Sequence, residues 1–158
     1  MKNRKSKTVK NYCYEGLGFP VILKKVTMIE FDCEFLPQIH VKKVSDEVIK
    51  LLSLSPEKFT GSQLKFIRQY LSMTTREFAK EILGSDTCSN ISKWESRKEK
   101  PTKMEEGTEL IIRLYVIENV IEAKKSNHSK FFELYKKAKV FLKSTGKKQA
   151  LCLDETFA

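Results

Sequence analysis

Three helix-start signatures within fewer than fifty residues constrain this 158-residue chain more than any other feature. Thr60 with Gln63, Thr74 with Glu77 and Thr102 with Glu105 each fit the S/T-x-x-E/Q capping box, in which two side chains satisfy backbone donors that a helix start leaves orphaned. Starts this close together predict short helices packed against one another. Leu64, Ile67 and Leu71 fall on one face of the first helix, and Phe78, Ala79 and Ile82 belong to the second. Ile91 and Trp94 point inward on a third, and Leu110, Ile111, Leu114 and Ile117 line a fourth, whose opposite side carries Ile112, Val116 and Val120.

The flanks read differently. Lys2, Arg4, Lys5, Lys7 and Lys10 stand without an acid or apolar periodicity, which predicts a mobile basic arm over residues 1–12, serving either to clamp phosphate or to aid solubility. Residues 13–56 predict a small β module followed by a helix starting at Ser45-Asp46-Glu47. Within it Ile29, Phe31, Cys33 and Phe35 alternate with Glu30, Asp32 and Glu34, as in a strand with one apolar and one acidic face. That acidic stripe is either a solvated face or a contact surface for a basic partner. Residues 57–122 form the helical unit. Residues 123–158 hold an amphipathic helix, with Phe131, Leu134, Tyr135, Ala138, Phe141 and Leu142 on one face, and a loose tail. The expected fold class is therefore mainly α with a small N-terminal β module: a helix-turn-helix bundle of about five helices plus a C-terminal helix.

Composition narrows the function. A 41% hydrophobic content suits one core plus an accessory module. Apolar runs are too short for membrane insertion or a signal peptide, so a cytoplasmic location is expected. Cys13, Cys33, Cys88 and Cys152 are scattered and form no CxxC pair, so neither a metal nor any other cofactor is expected. His40 and His128 are far apart, and the chain has no Gly-rich phosphate loop or nucleophile elbow, which argues against an enzyme. Thirty Lys and Arg against twenty Asp and Glu give +10, an excess that attracts polyanions.

The segment GSQLKFIRQYLSMTTREFAKEILGSDTCSNISKWESRKEKPT resembles the lambda-repressor-like helix-turn-helix family, also called Cro/C1 or XRE-type regulators, over roughly Thr60 to Ile117. The resemblance implies binding to an operator in double-stranded DNA. It places Thr87, Cys88, Ser89, Asn90 and Lys93 toward base edges, and Thr75, Arg76, Lys98 and Lys100 on phosphates. Two departures stand out: the turn through Ile82 to Asp86 is longer than the family's, and Arg97 stands where the family commonly has Gly. The order of modules, with YEGLGFPVILKKVTMIEFDCEFLPQI in front, is similar to MqsA-type antitoxins, without their zinc cysteines. That similarity implies an antitoxin and autorepressor of a toxin-antitoxin pair, with Glu30, Asp32 and Glu34 meeting a basic toxin. Short half-sites imply a homodimer. A stand-alone phage-type repressor and an RNA- or protein-binding module on the same scaffold remain open alternatives.

Overall fold

The computed structural model describes residues 5–86, 88–121 and 151–156. The chain divides into two compact units, Met1–Val48 with Gln149–Ala158, and Ile49–Lys148.

The first unit is a sheet. Strand β1 (Ser6–Tyr14) pairs antiparallel with β2 (Val21–Phe31), running from Ser6↔Ile29 to Tyr14↔Val21. The chain reverses between them through a turn in which Gly18 takes φ 87, a conformation that costs glycine little, and donates its N–H to the Glu15 carbonyl. Strand β3 (Glu34–Gln38) pairs antiparallel with the Thr27–Phe31 half of β2. Strand β4 (Leu151–Thr156) pairs in parallel with its Val21–Lys25 half, setting Leu153 beside Leu23. β3 and β4 thus lie end to end along one edge of β2, and β1 lies along the other. Phe19, Val21, Leu23, Val26 and Leu153 are buried in this unit, as are Val44 and Val48 of helix α1 (Val41–Leu54).

Four sequence expectations are corrected here. The fold is mixed α/β, not mainly α with a small β module, because the sheet recruits both ends of the chain. Residues 6–12 are not a mobile arm; they are paired in β1, where the long β2 supplies the partner their own composition lacks. Likewise the tail is not loose over Leu151–Thr156, which forms β4. Finally, the apolar and acidic alternation from Ile29 to Phe35 is no single strand. Asp32 and Cys33, at φ 46 and 67, make a two-residue hairpin turn of the type whose twist suits flanking strands. The predicted amphipathic helix from Phe131 to Leu142 lies outside the described residues.

Helix α1 starts four residues before the expected Ser45. The Val44 N–H donates to the His40 carbonyl, and the Lys43 N–H donates to His40 Nδ1 at 3.4 Å, so His40 supplies the cap expected of a serine. The division between the two compact units falls inside this helix, after Val48.

The second unit is helical: α2 (Gly61–Tyr70), α3 (Thr75–Leu83), α4 (Ser89–Glu95), α5 (Glu106–Val116) and a wide π turn at Ile117–Ile121. Both capping boxes expected at Thr60/Gln63 and Thr74/Glu77 form in full. The third does not. The Thr102 N–H is drawn to the Phe59 carbonyl at 2.8 Å, its hydroxyl is buried, and α5 begins only after Glu105. Leu64, Ile67, Phe78, Ala79, Ile82 and Ile91 are buried as expected. On α5 Ile112 and Val116 of one expected stripe and Ile117 of the other are buried and Leu110 and Leu114 partly so, while Ile111 is 48% exposed.

The buried side of α5 is partly polar. Glu109 and Arg113, one helical turn apart on α5, are both buried and paired at 2.7 Å. Arg113 donates to the Leu52, Ser55 and Glu57 carbonyls, and its guanidinium lies over the Phe59 ring. Glu109 accepts the Phe59 N–H at 3.1 Å. Burial pulls the Arg113 guanidinium below its usual value, and Glu109 opposes that pull. The segment leaving α1 is thereby held by charge-assisted hydrogen bonds, which are roughly twice as strong as neutral ones.

Candidate nucleic-acid interface

The site is assembled around the short helix α4. Helix α3 ends at Gly84, whose φ of 62 lets its N–H and that of Ser85 turn back onto the Lys80 and Ala79 carbonyls. Five residues, Gly84 to Cys88, then separate α3 from α4. The helix starts at Ser89, with Cys88 as a cap that makes no side-chain bond, so its start lies two residues beyond the Thr87 expected from the sequence. Thr87 itself lies outside the described residues.

Ser89, Asn90 and Lys93 are exposed on α4, and spacings of three and four residues put them on one stripe. Ile91 faces the opposite way and is fully buried, while Trp94 is half-buried. Cys88 is half-buried as well, so of the expected base-facing residues it is the least accessible of those described. Ser92 is exposed beside the stripe and escaped sequence reasoning, since serine carries no periodic signal.

Two contacts fix α4 from behind. Arg68 of α2 reaches Glu95 through two parallel bonds, Nε to Oε1 at 2.6 Å and Nη2 to Oε2 at 2.9 Å, and also donates Nη1 to the Met73 carbonyl. The Glu95 hydrogen bond raises the Arg68 pKa further, against the opposing effect of burial. Gly61 supplies the second contact. A methyl there would stand 2.6 Å from both the Trp94 carbonyl oxygen and the Lys98 nitrogen, so only glycine allows the start of α2 to lie against the end of α4.

The loop after α4 is pinned to the same helix start. The Gly61 N–H donates to the Lys100 carbonyl and the Ser62 N–H to that of Lys98, while Arg97 Nε donates to the Pro101 carbonyl at 2.6 Å. Lys98 takes φ 50, so the left-handed position falls at Lys98 and not at Arg97, where the sequence comparison expected a glycine-like turn. Ser96 to Lys100 line a shallow open depression. Lys98 and Lys100 are both exposed at it, as is Glu99, which accepts from the Ser62 hydroxyl at 3.2 Å. On α3 Arg76 is exposed and Thr75 half-buried beside the capping box.

The third set of expected residues does not form one surface. Residues paired across antiparallel strands share a face, so Glu30 sits with Phe35 while Glu34 sits with Phe31 on the other side, and Asp32 is in the turn. The single acidic stripe is overturned by the hairpin.

Among the described residues no group of three or more His, Cys, Asp or Glu is placed to hold a metal ion, and no helix is long and apolar enough to cross a membrane. Comparisons of this chain with protein-family profiles, with curated proteins and with solved structures return no match.

Proposed function

We propose that the protein is a cytoplasmic, sequence-specific DNA-binding regulator of transcription, acting without catalysis, that reads base edges through α4. The observation carrying this reading is the stripe of Ser89, Asn90 and Lys93, exposed on a short helix whose opposite side is anchored by Ile91 and by the Arg68–Glu95 pair. A helix so held suits a major groove about 12 Å wide, and hydroxyl, amide and ammonium groups match its donors and acceptors. Lys98 and Lys100, in a loop bonded to the start of α2, suit phosphate contacts that set register without reading sequence.

Fluorescence anisotropy on duplex DNA from the protein's own promoter and on a scrambled duplex, across a salt series, tests the reading. A preference for the promoter of about 4 kcal/mol or more at physiological salt is expected of an operator binder. Equal binding to both duplexes, vanishing with salt, would overturn it and leave only charge attraction. Asn90→Ala and Lys93→Ala are each expected to cost about 1–3 kcal/mol on the promoter and to relax base preference.

A further inference from the structure

Strand β1 has an open edge. Its other edge pairs with β2, where the Glu30 N–H donates to the Lys5 carbonyl at 3.0 Å. Backbone groups alternate in direction along an antiparallel strand, so Lys5, Lys7 and Val9 turn theirs toward β2, while Ser6, Thr8 and Lys10 turn theirs away from it. Among the described residues β1 pairs with β2 alone, and Ser6, Thr8 and Lys10 are exposed. The regular edge ends at Asn11, whose φ of 53 departs from extended backbone. The open stretch is therefore Lys5 to Lys10, a row of alternating N–H donors and carbonyl acceptors of the kind that takes up another strand.

The charges along this edge are of one sign. From Lys5 to Tyr14 the chain holds Lys5, Lys7 and Lys10 and no acid. Alternation sets Lys10 on one face of the sheet, directly opposite Lys25, a placement that like charges disfavour. Lys5 and Lys7 fall on the other face, Lys5 across from Glu30 and the Lys7 ammonium 4.1 Å from the centre of the Phe35 ring. Lysines on an edge strand hinder its pairing with a copy of itself, because each copy brings the same charges. The same lysines favour a strand that carries carboxylates.

We infer that the Lys5–Lys10 edge of β1 takes up an extended, acidic segment of another polypeptide as an added strand, with carboxylates three residues apart meeting Lys7 and Lys10 on opposite faces. A period of two puts residues three apart on opposite faces of a strand, so that spacing matches both lysines in either strand direction. Phosphates would answer the ammonium groups, but they only accept hydrogen bonds and offer the outward carbonyls of Ser6, Thr8 and Lys10 no donor. A peptide supplies donors and acceptors alike. The inference stands on the first unit alone and is independent of the DNA-binding reading.

The octapeptide TEVTEVET places its glutamates opposite Lys10, Lys7 and Lys5 in an antiparallel addition, and amide hydrogen exchange of the full chain, read by NMR, tests the pairing. With this peptide at millimolar concentration, exchange at the Ser6, Thr8 and Lys10 amides is expected to slow by roughly tenfold or more. The lysine counterpart TKVTKVKT is expected to have no effect, and neither is TEVTEVET methylated on the backbone nitrogens that face β1. Thr8→Pro removes an outward N–H, a change an edge strand tolerates, and is expected to weaken binding by roughly tenfold. Lys10→Glu is expected to lose TEVTEVET and to accept TKVTEVET, in which the facing glutamate is lysine. Equal protection by the methylated peptide would reduce the contact to charge and overturn the inference. No protection at all would also overturn it, as would slowed exchange on β3 or β4 in place of β1, or a Lys10→Glu variant that still prefers TEVTEVET. Concentration-dependent protection of the same amides in the protein alone would show that a second copy takes the edge, and displacement of the peptide by duplex DNA that a nucleic acid does; either overturns it.

Discussion

Arg68 grips Glu95 with both ends of its guanidinium while its third nitrogen holds the Met73 carbonyl, so one side chain ties the end of α4 to the turn between α2 and α3. Both partners are mostly buried, at 14% and 10% side-chain exposure. Arg68→Ala is expected to cost about 2–3 kcal/mol, the range for hydrogen bonds to charged groups that lose their partner. Lys at 68 cannot reproduce the fork and should recover little. Urea denaturation reads both, and anisotropy should show the promoter preference falling in Arg68→Ala.

Gly61→Ala is expected to destabilise by about 1–3 kcal/mol, as overpacking does when no neighbour can yield. The atoms in the way are backbone, the Trp94 carbonyl oxygen and the Lys98 nitrogen, and not the end of a flexible side chain. A matched pair of denaturation midpoints for Gly61→Ala and wild type tests this.

Lys98→Gly separates stability from binding. Lys98 holds φ 50, which costs an L-residue about 1 kcal/mol that glycine escapes. The variant should therefore be more stable by about that amount, yet bind DNA more weakly, with the salt slope smaller by about one if Lys98 holds a phosphate. A variant with unchanged salt dependence would remove Lys98 from the interface.

The Glu77 carboxylate gives the fold a pH signature. It caps α3 by accepting the Thr74 N–H, and this bond, followed by that with the Thr74 side chain, lowers its pKa from the ordinary 4.5. A carboxyl group whose folded pKa is depressed stabilises fully above its unfolded value and loses that contribution as pH falls through the folded one. Thermal melts of Glu77→Gln should therefore lie below wild type at neutral pH and converge with it as pH drops below 4.5.

Arg113→Met should be among the most damaging single changes, costing about 3–5 kcal/mol, because it leaves Glu109 charged, buried and unpaired. Replacing Glu109 and Arg113 together by apolar residues should cost less than the sum of the two single changes, since no lone charge is then stranded.

What the sequence revealed depended on how locally each element is specified. The capping boxes at Thr60 and Thr74 close within three residues, so their letters predict their geometry. Ile91 was legible because a buried position at helical spacing needs only its neighbours. Glu109 and Arg113 were not, since charged letters read as surface unless the backbone groups they bond far upstream, the Phe59 N–H and the Leu52, Ser55 and Glu57 carbonyls, are known. Asp32-Cys33 lacks the glycine usual at the second position of such a turn, so the alternation ran straight through a hairpin. Parallel pairing of Leu153 with Leu23 leaves no local trace at all. Net charge does not locate a site: residues 122–150 hold nine lysines and two glutamates, so most of the +10 belongs to that segment and little of it to the helices around α4.

The position of β4 along the chain sets an order of events during synthesis. The unit Ile49–Lys148 is one continuous stretch of chain, so all of it is made before β4. The sheet that begins with Ser6 must wait, because the Val21–Lys25 edge of β2 has its partner only once Leu151–Thr156 has been made. A chain stopped before Leu151 would carry α2–α5 complete and the Val21–Lys25 strand edge open, the feature that invites aggregation and proteolysis. Completion of the first-made unit thus reports that translation has passed Leu151–Thr156.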